Sequence, residues 1–142
     1  MILPDINLLV YAYSADAPLH PAARTWWEGC LSQPRPVGLP WVVTLGFIRL
    51  VTNRRVLLDP MRPAEAILHV RSWLERPNVT ILEPGHRHLD VLAGLAEQAG
   101  VAGSLTTDLH LAALAIELRA ELHSNDRDFE RFAGLRWVNP LA

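Results

Sequence analysis

Four aspartates could do chemistry together if the fold brought them to one place. Asp5 follows the apolar pair Ile2-Leu3 and Pro4, and Asp108 follows Thr106-Thr107. The other two straddle Arg127 in Ser124-Asn125-Asp126-Arg127-Asp128-Phe129. Each has an ordinary explanation alone. Asp5 and Asp108 both stand where a capping carboxylate could satisfy the free amides of a helix's first turn. Ser-Asn-Asp is also the composition of a plain turn. As a set they read differently. Carboxylates ~5 Å apart at an effective dielectric of about 20 repel by about 3 kcal/mol per pair. Without a cation such a cluster would protonate or splay apart. Hard divalent ions such as Mg²⁺ or Mn²⁺ take oxygen ligands and keep several waters. The chemistry is then activation of water against a phosphorus centre and stabilisation of the leaving oxygen.

The elements that must position these acids follow from pattern and punctuation. Ile2-Leu3 reads as a short buried strand ending in Asp5, followed by helices over 7–13 and 20–31. Prolines 34 and 36 mark a loop, and Val37-Gly38-Leu39 a second strand. Pro40 suits the first turn of a helix running to about Thr52, apolar nearly all round and therefore expected to be buried. Helices are expected over 64–74 and 87–99, with a strand over 79–82 between them. Gly100 and Gly103 form a flexible link to a helix over 108–119. A strand over 121–124, the acidic turn, a single helical turn near Phe129-Phe132 and a strand over 136–138 complete the chain. Alternating strands and helices predict an α/β fold with a central, mainly parallel sheet of four to five short strands flanked by helices. In such sheets ligands sit beyond the carboxyl ends of the strands. That rule places Asp5, Asp126 and Asp128 at one rim, and the start of the helix at Asp108 beside them.

Length and composition exclude several classes. The 142 residues, half of them apolar, fit one domain over 1–142. The longest apolar stretch, around Trp41 to Phe47, is too short to span a bilayer. An acid is reached at Asp5 with no basic region before it, so no signal peptide is expected. Cys30 is alone, which excludes an internal disulfide and a thiol metal cluster and reads as a small hydrophobe in a helix. A cytoplasmic location follows as the expectation. The net charge is −2 and the chain has no lysine, so any contact with nucleic acid must be local, carried by arginine or helped by metal ions.

The motifs are collinear with a known pattern. Pro4-Asp5-Ile6-Asn7-Leu8-Leu9-Val10-Tyr11-Ala12 opens the chain, and Leu39-Pro40-Trp41 leads to Gly46-Phe47-Ile48-Arg49 and Thr52-Asn53. Thr106-Thr107-Asp108-Leu109-His110-Leu111-Ala112-Ala113-Leu114-Ala115 and Ser124-Asn125-Asp126-Arg127-Asp128-Phe129 follow, and Leu135 to Leu141 closes the chain. Over essentially its whole length the sequence resembles a PIN-domain ribonuclease of the VapC toxin type. The resemblance implies a PIN-like fold and a metal-dependent endoribonuclease toxin of a type II toxin–antitoxin system, cutting tRNA, rRNA or mRNA. It implies a Mg²⁺ or Mn²⁺ site built from Asp5, Asp108 and Asp126, with Asp128 supporting it or binding a second ion. Ser124 or Asn125 would orient a water or phosphate. Products would carry a 5′-phosphate and a 3′-hydroxyl. A cognate VapB-type antitoxin would block the site with an arginine or other cation, and the toxin would form homodimers and toxin–antitoxin hetero-oligomers. One departure matters. Many PIN nucleases carry a further glutamate in the window here occupied by Thr44-Leu45-Gly46-Phe47, and this chain has no acid from Gly29 to Leu58. One well-defined ion is therefore expected, with any second held by Asp126 and Asp128.

Secondary candidates carry two readings each. Arg49, Arg54 and Arg55 either hold RNA phosphates or form a solvated helix end whose charge suits the dipole. His110 reads as a packed or surface residue, and the other histidines show no ligand spacing. Trp26, Trp41 and Trp73 fit apolar helix faces and are expected in the core, with Trp27 at a dimer or antitoxin surface. Two further function classes stay open: a catalytically degenerate module that binds RNA or protein without cleavage, and a metal-dependent phosphatase or DNA nuclease.

Overall fold

The structure is a computed structural model and describes residues 1–100 and 103–142. Five short strands form one sheet: β1 (Ile2–Pro4), β2 (Val37–Pro40), β3 (Val79–Leu82), β4 (Glu121–His123) and β5 (Arg136–Val138). Their order is β3-β2-β1-β4-β5 and every adjacent pair is parallel. Among the described residues six α-helices lie in the first three crossovers: α1 (Ile6–Tyr13), α2 (His20–Ser32), α3 (Trp41–Val51), α4 (Pro63–Leu74), α5 (His88–Ala99) and α6 (Thr106–Glu117); a 3-10 turn joins β4 to β5. The central strands β1 and β2 are buried at every residue, as strands covered on both faces must be. Among the described residues no helix is long and apolar enough to cross a membrane.

The core between the first four helices is aromatic. Phe47 and Trp27 both meet Trp73 edge to face, at 4.8 and 5.3 Å between ring centroids. The Trp73 indole N–H donates to the Tyr13 hydroxyl at 2.7 Å, which satisfies one polar atom in this apolar layer. Two expectations are corrected here. Trp27 is 2% exposed, so it belongs to the core rather than to a partner surface. Trp41 is 50% exposed and Leu45 58%, so α3 buries one side only. The reason is geometric: positions 41 and 45 stack on one helix face, while Val43, Phe47 and Val51 face the core.

Helix ends account for the remaining differences. Helix α6 starts at Thr106 and stops at Glu117, about two residues earlier at each end than the sequence pattern indicates. Its end is a Schellman turn: Ala120 N–H donates to the Ala115 carbonyl at 2.8 Å, and Arg119 N–H to Ile116 at 3.2 Å. Arg119 occupies the left-handed position, φ 53°, that glycine usually takes. Gly100 takes the equivalent place after α5, φ 63°. Residues 101 and 102 of the expected flexible link lie outside the described residues.

Candidate metal centre

The register of β1 against β4 decides which residues meet at the rim. Leu3 pairs with Leu122 and Pro4 with His123, and Asp5 N–H donates to the His123 carbonyl at 2.9 Å. The next residue on each strand, Asp5 and Ser124, therefore stand side by side where both strands end. Strand β1 passes straight into α1 through Asp5, whose Oδ1 caps the helix by accepting from Ile6 N–H at 2.7 Å. Its Oδ2 accepts the Ser124 hydroxyl at 2.8 Å. The same Ser124 oxygen accepts from Asp126 N–H at 3.0 Å. One buried hydroxyl thus joins the first acid to the loop that carries the last two. Ser124 is 0% exposed and its carbonyl accepts the Trp137 indole N–H. The expected orienting role of Ser124 toward a water or phosphate meets a side chain already engaged on both sides within the protein.

Asp126 caps the short 3-10 helix Arg127–Arg131, its Oδ1 accepting from Asp128 N–H at 2.9 Å. That cap folds the chain so that the side chains of Asp126 and Asp128 lie together. Asp108 arrives from the first turn of α6. It is not the cap of that helix; Leu105 holds the position and makes no side-chain bond to it. Among the described residues the Asp108 carboxylate accepts no hydrogen bond, so the capping explanation open to it in the sequence does not apply.

One carboxylate oxygen each from Asp108, Asp126 and Asp128 lies within 4.8 Å of the others. Mg²⁺ coordinates at about 2.1 Å, which puts oxygens on opposite sides of the ion about 4.2 Å apart. Only one pair of the three can stand opposite on an octahedral ion, and neighbouring ligands lie about 3.0 Å apart, so the carboxylates must draw closer together to hold it; an all-oxygen set suits a hard cation. Asp5 stands beside this trio, outside the group within 4.8 Å, and its charge acts on both Asp108 and Asp126. The electrostatics record the crowding. Burial, then the charges of Asp5, Asp126 and Asp128, push the Asp108 carboxyl up to about 6, against a smaller opposing effect of Arg131. Burial also raises Asp5, with Asp126 adding to the rise while the bonds from Ser124 and Ile6 oppose it.

The other expected residues divide. Asn125 is half-buried in the same loop. Arg49 and Arg54 are exposed, and among the described residues neither pairs with the acids. Helix α3 brings no carboxylate: the Thr44 hydroxyl is buried and donates to the Trp41 carbonyl at 3.1 Å. At Gly46 the helix lies so close to α1 that an added Cβ would sit 2.7 Å from Ile6 Cδ1. His110 lies 2.9 Å from His88, which reaches Glu117 at 3.1 Å; this chain ties α5 to α6 and engages the ring away from the acids. A residue that the sequence reading passed over is Arg131, whose Nη2 donates to Asp128 Oδ1 at 3.3 Å and whose Nε donates to the Asp128 carbonyl at 3.1 Å. Its signal in the sequence was the three-residue spacing from Asp128 across one helical turn.

Comparison with known proteins agrees with this architecture. The PIN domain family model matches residues 2–135. Ribonuclease VapC33 of Mycobacterium tuberculosis is 48% identical over 141 residues, 99% of each chain. Ribonuclease VapC37 of the same organism is 39% identical over 142 residues, 100% of this chain and 99% of that one. Among solved structures, VapBC2 from Rickettsia felis bound to a DNA fragment from its promoter superposes with a TM-score of 0.70 at 20% identity, covering 98% of both chains. At that identity the likeness is one of fold.

Proposed function

The chain belongs to the PIN-domain family, and from that premise we propose that it is the RNA-cleaving toxin of a type II toxin–antitoxin pair. Its full-length similarity to proteins named as VapC ribonucleases supports a hydrolase acting on RNA phosphodiester bonds. The observation that carries the reading is the convergence of Asp108, Asp126 and Asp128 beside Asp5 at the carboxyl rim of the sheet.

We assign a divalent ion, Mg²⁺ or Mn²⁺, to Asp108, Asp126 and Asp128, with Asp5 beside them. The sequence alone assigns it to Asp5, Asp108 and Asp126; the structure gathers Asp128 with Asp108 and Asp126, and Asp5, whose oxygens each keep a lone pair beyond the bonds from Ile6 and Ser124, stays in the proposed ligand set. When bound, such an ion lowers the pKa of a coordinated water and neutralises charge on the phosphate. The protein's own part is positional. Ser124 fixes Asp5 and the Asp126 backbone in one geometry, and the Asp126 cap fixes Asp128. Asp5 contributes a further negative charge that favours a cation over an empty cluster. With no acid on α3, a second ion would depend on Asp126, Asp128 and the phosphates of the substrate.

A VapB-type antitoxin is the partner this site calls for. Its chemistry predicts a cationic side chain placed among the four carboxylates, and the resemblance in fold to the toxin of a VapBC complex supports that pairing. A homodimer is part of the same proposal. The test uses purified protein with RNA, DNA and a phosphomonoester. RNA alone should be cut, with Mg²⁺ or Mn²⁺ present and not in EDTA. Cutting that persists in EDTA, or a preference for DNA or the monoester, overturns the reading.

A further inference from the structure

Arg131 stands one helical turn after Asp128 and its guanidinium lies over that acid. The contact uses one edge of the fork: Nε donates to the Asp128 carbonyl at 3.1 Å and Nη2 to Oδ1 at 3.3 Å. Among the described residues the remaining N–H groups, on Nη1 and the far side of Nη2, have no acceptor. The side chain is 38% exposed, so this second edge is open to a ligand. The bond to Asp128 Oδ1 places the guanidinium at the border of the acidic trio, and its charge also acts on Asp108.

An arginine pinned by one edge beside a group of carboxylates is a pre-organised binder. Guanidinium forks match phosphate oxygens in a planar, bidentate manner, and holding the side chain beforehand reduces the entropy lost on binding. The other arginine of this turn is placed differently: Arg127 is 81% exposed and pairs with Glu130. We infer that Arg131 is the residue that receives the RNA backbone phosphate at the acidic rim, through its free Nη edge, while its bound edge holds Asp128 in place. This rests on the nuclease reading above. It adds a phosphate contact at the rim, distinct from the four acids and from the exposed Arg49 and Arg54.

The test is equilibrium binding of a short labelled single-stranded RNA across a salt series, with Ca²⁺ replacing Mg²⁺ so that bound RNA persists. Wild type, Arg131→Gln and Arg131→Lys are compared, each checked by thermal melting. Loss of one phosphate contact should reduce the slope of log K against log salt by about 0.7. Arg131→Gln should show that reduction and bind about tenfold more weakly. Arg131→Lys should keep the slope, because it keeps the charge, yet cleave more slowly because the fork is gone. An unchanged slope and affinity in Arg131→Gln overturns the inference, even if melting temperature or cleavage falls, since those would follow from loosening Asp128 alone. Failure of the nuclease reading appears separately, as wild-type protein that binds this RNA and cuts none with Mg²⁺.

Discussion

Replacing Asp108 by asparagine separates a functional carboxylate from a structural one. In the metal-free protein Asp108 is held at about 6 by burial and by three neighbouring acids, against an ordinary value of 3.8. That rise corresponds to about 3 kcal/mol of unfavourable interaction in the charged form. Asp108 is partly solvated, and screening reduces the figure to about 1–2 kcal/mol. The sign follows from proton linkage: a raised carboxyl binds more protons folded than unfolded between its two pKa values. Wild-type stability in chelator should therefore fall as pH rises from the ordinary value to about 6, and stay level above it. Asp108→Asn removes the charge and keeps the shape. In EDTA at pH 7.5 the variant should melt about 3–6 °C above wild type, with the gap closing toward pH 4. Saturating Mg²⁺ should raise the wild-type melting temperature and leave the variant where it is. A variant less stable than wild type in EDTA at pH 7.5 would refute the reasoning, because it would make Asp108 a structural acid.

Three further outcomes are expected. Cleavage should decline as pH falls through about 6, where the proton on Asp108 competes with the ion, and the midpoint should move lower as Mg²⁺ is raised; a midpoint insensitive to metal concentration contradicts this. Ser124→Ala should cost about 1–3 kcal/mol in chemical denaturation and reduce cleavage, because it strips a bond from the buried Asp5 and from the Asp126 amide together; a stability equal to wild type would remove Ser124 from its proposed place. Arg119→Gly should stabilise by up to about 1 kcal/mol, since glycine meets the left-handed turn after α6 without Cβ strain; a lower melting temperature would show that the Arg119 side chain matters more than its backbone.

Much of this architecture was legible because local signals agree with one another. Proline and glycine punctuation bounds β2, β3 and β5 to within a residue, and the strand–helix alternation gives the parallel sheet and the common rim. That logic places Asp5, Asp126 and Asp128 together before any coordinates. Register is a different matter. The pairing of Pro4 with His123 is long-range, and it is what turns Ser124 from a turn residue into the link between Asp5 and Asp126. Arg131 was illegible for a similar reason: its spacing from Asp128 is informative only once Arg127–Arg131 is known to be one 3-10 turn. Trp73 lies in the core as expected, but Trp41 does not, because apolar periodicity cannot distinguish the face of α3 that meets the core from the face bearing Trp41 and Leu45. The left-handed Arg119 carries no glycine signal at all, so the sequence pattern runs α6 two residues too far.

The central claim is that the four acids form one metal-dependent site for cutting RNA. Its most direct test is cleavage of RNA by wild type, Asp5→Asn, Asp108→Asn and Asp126→Asn at equal Mg²⁺, with product ends sequenced. Wild type should give discrete cuts ending in 5′-phosphates, and each variant should lose at least about 100-fold in rate, roughly 2.7 kcal/mol of transition-state stabilisation. Cleavage unchanged in Asp5→Asn or Asp108→Asn would contradict it.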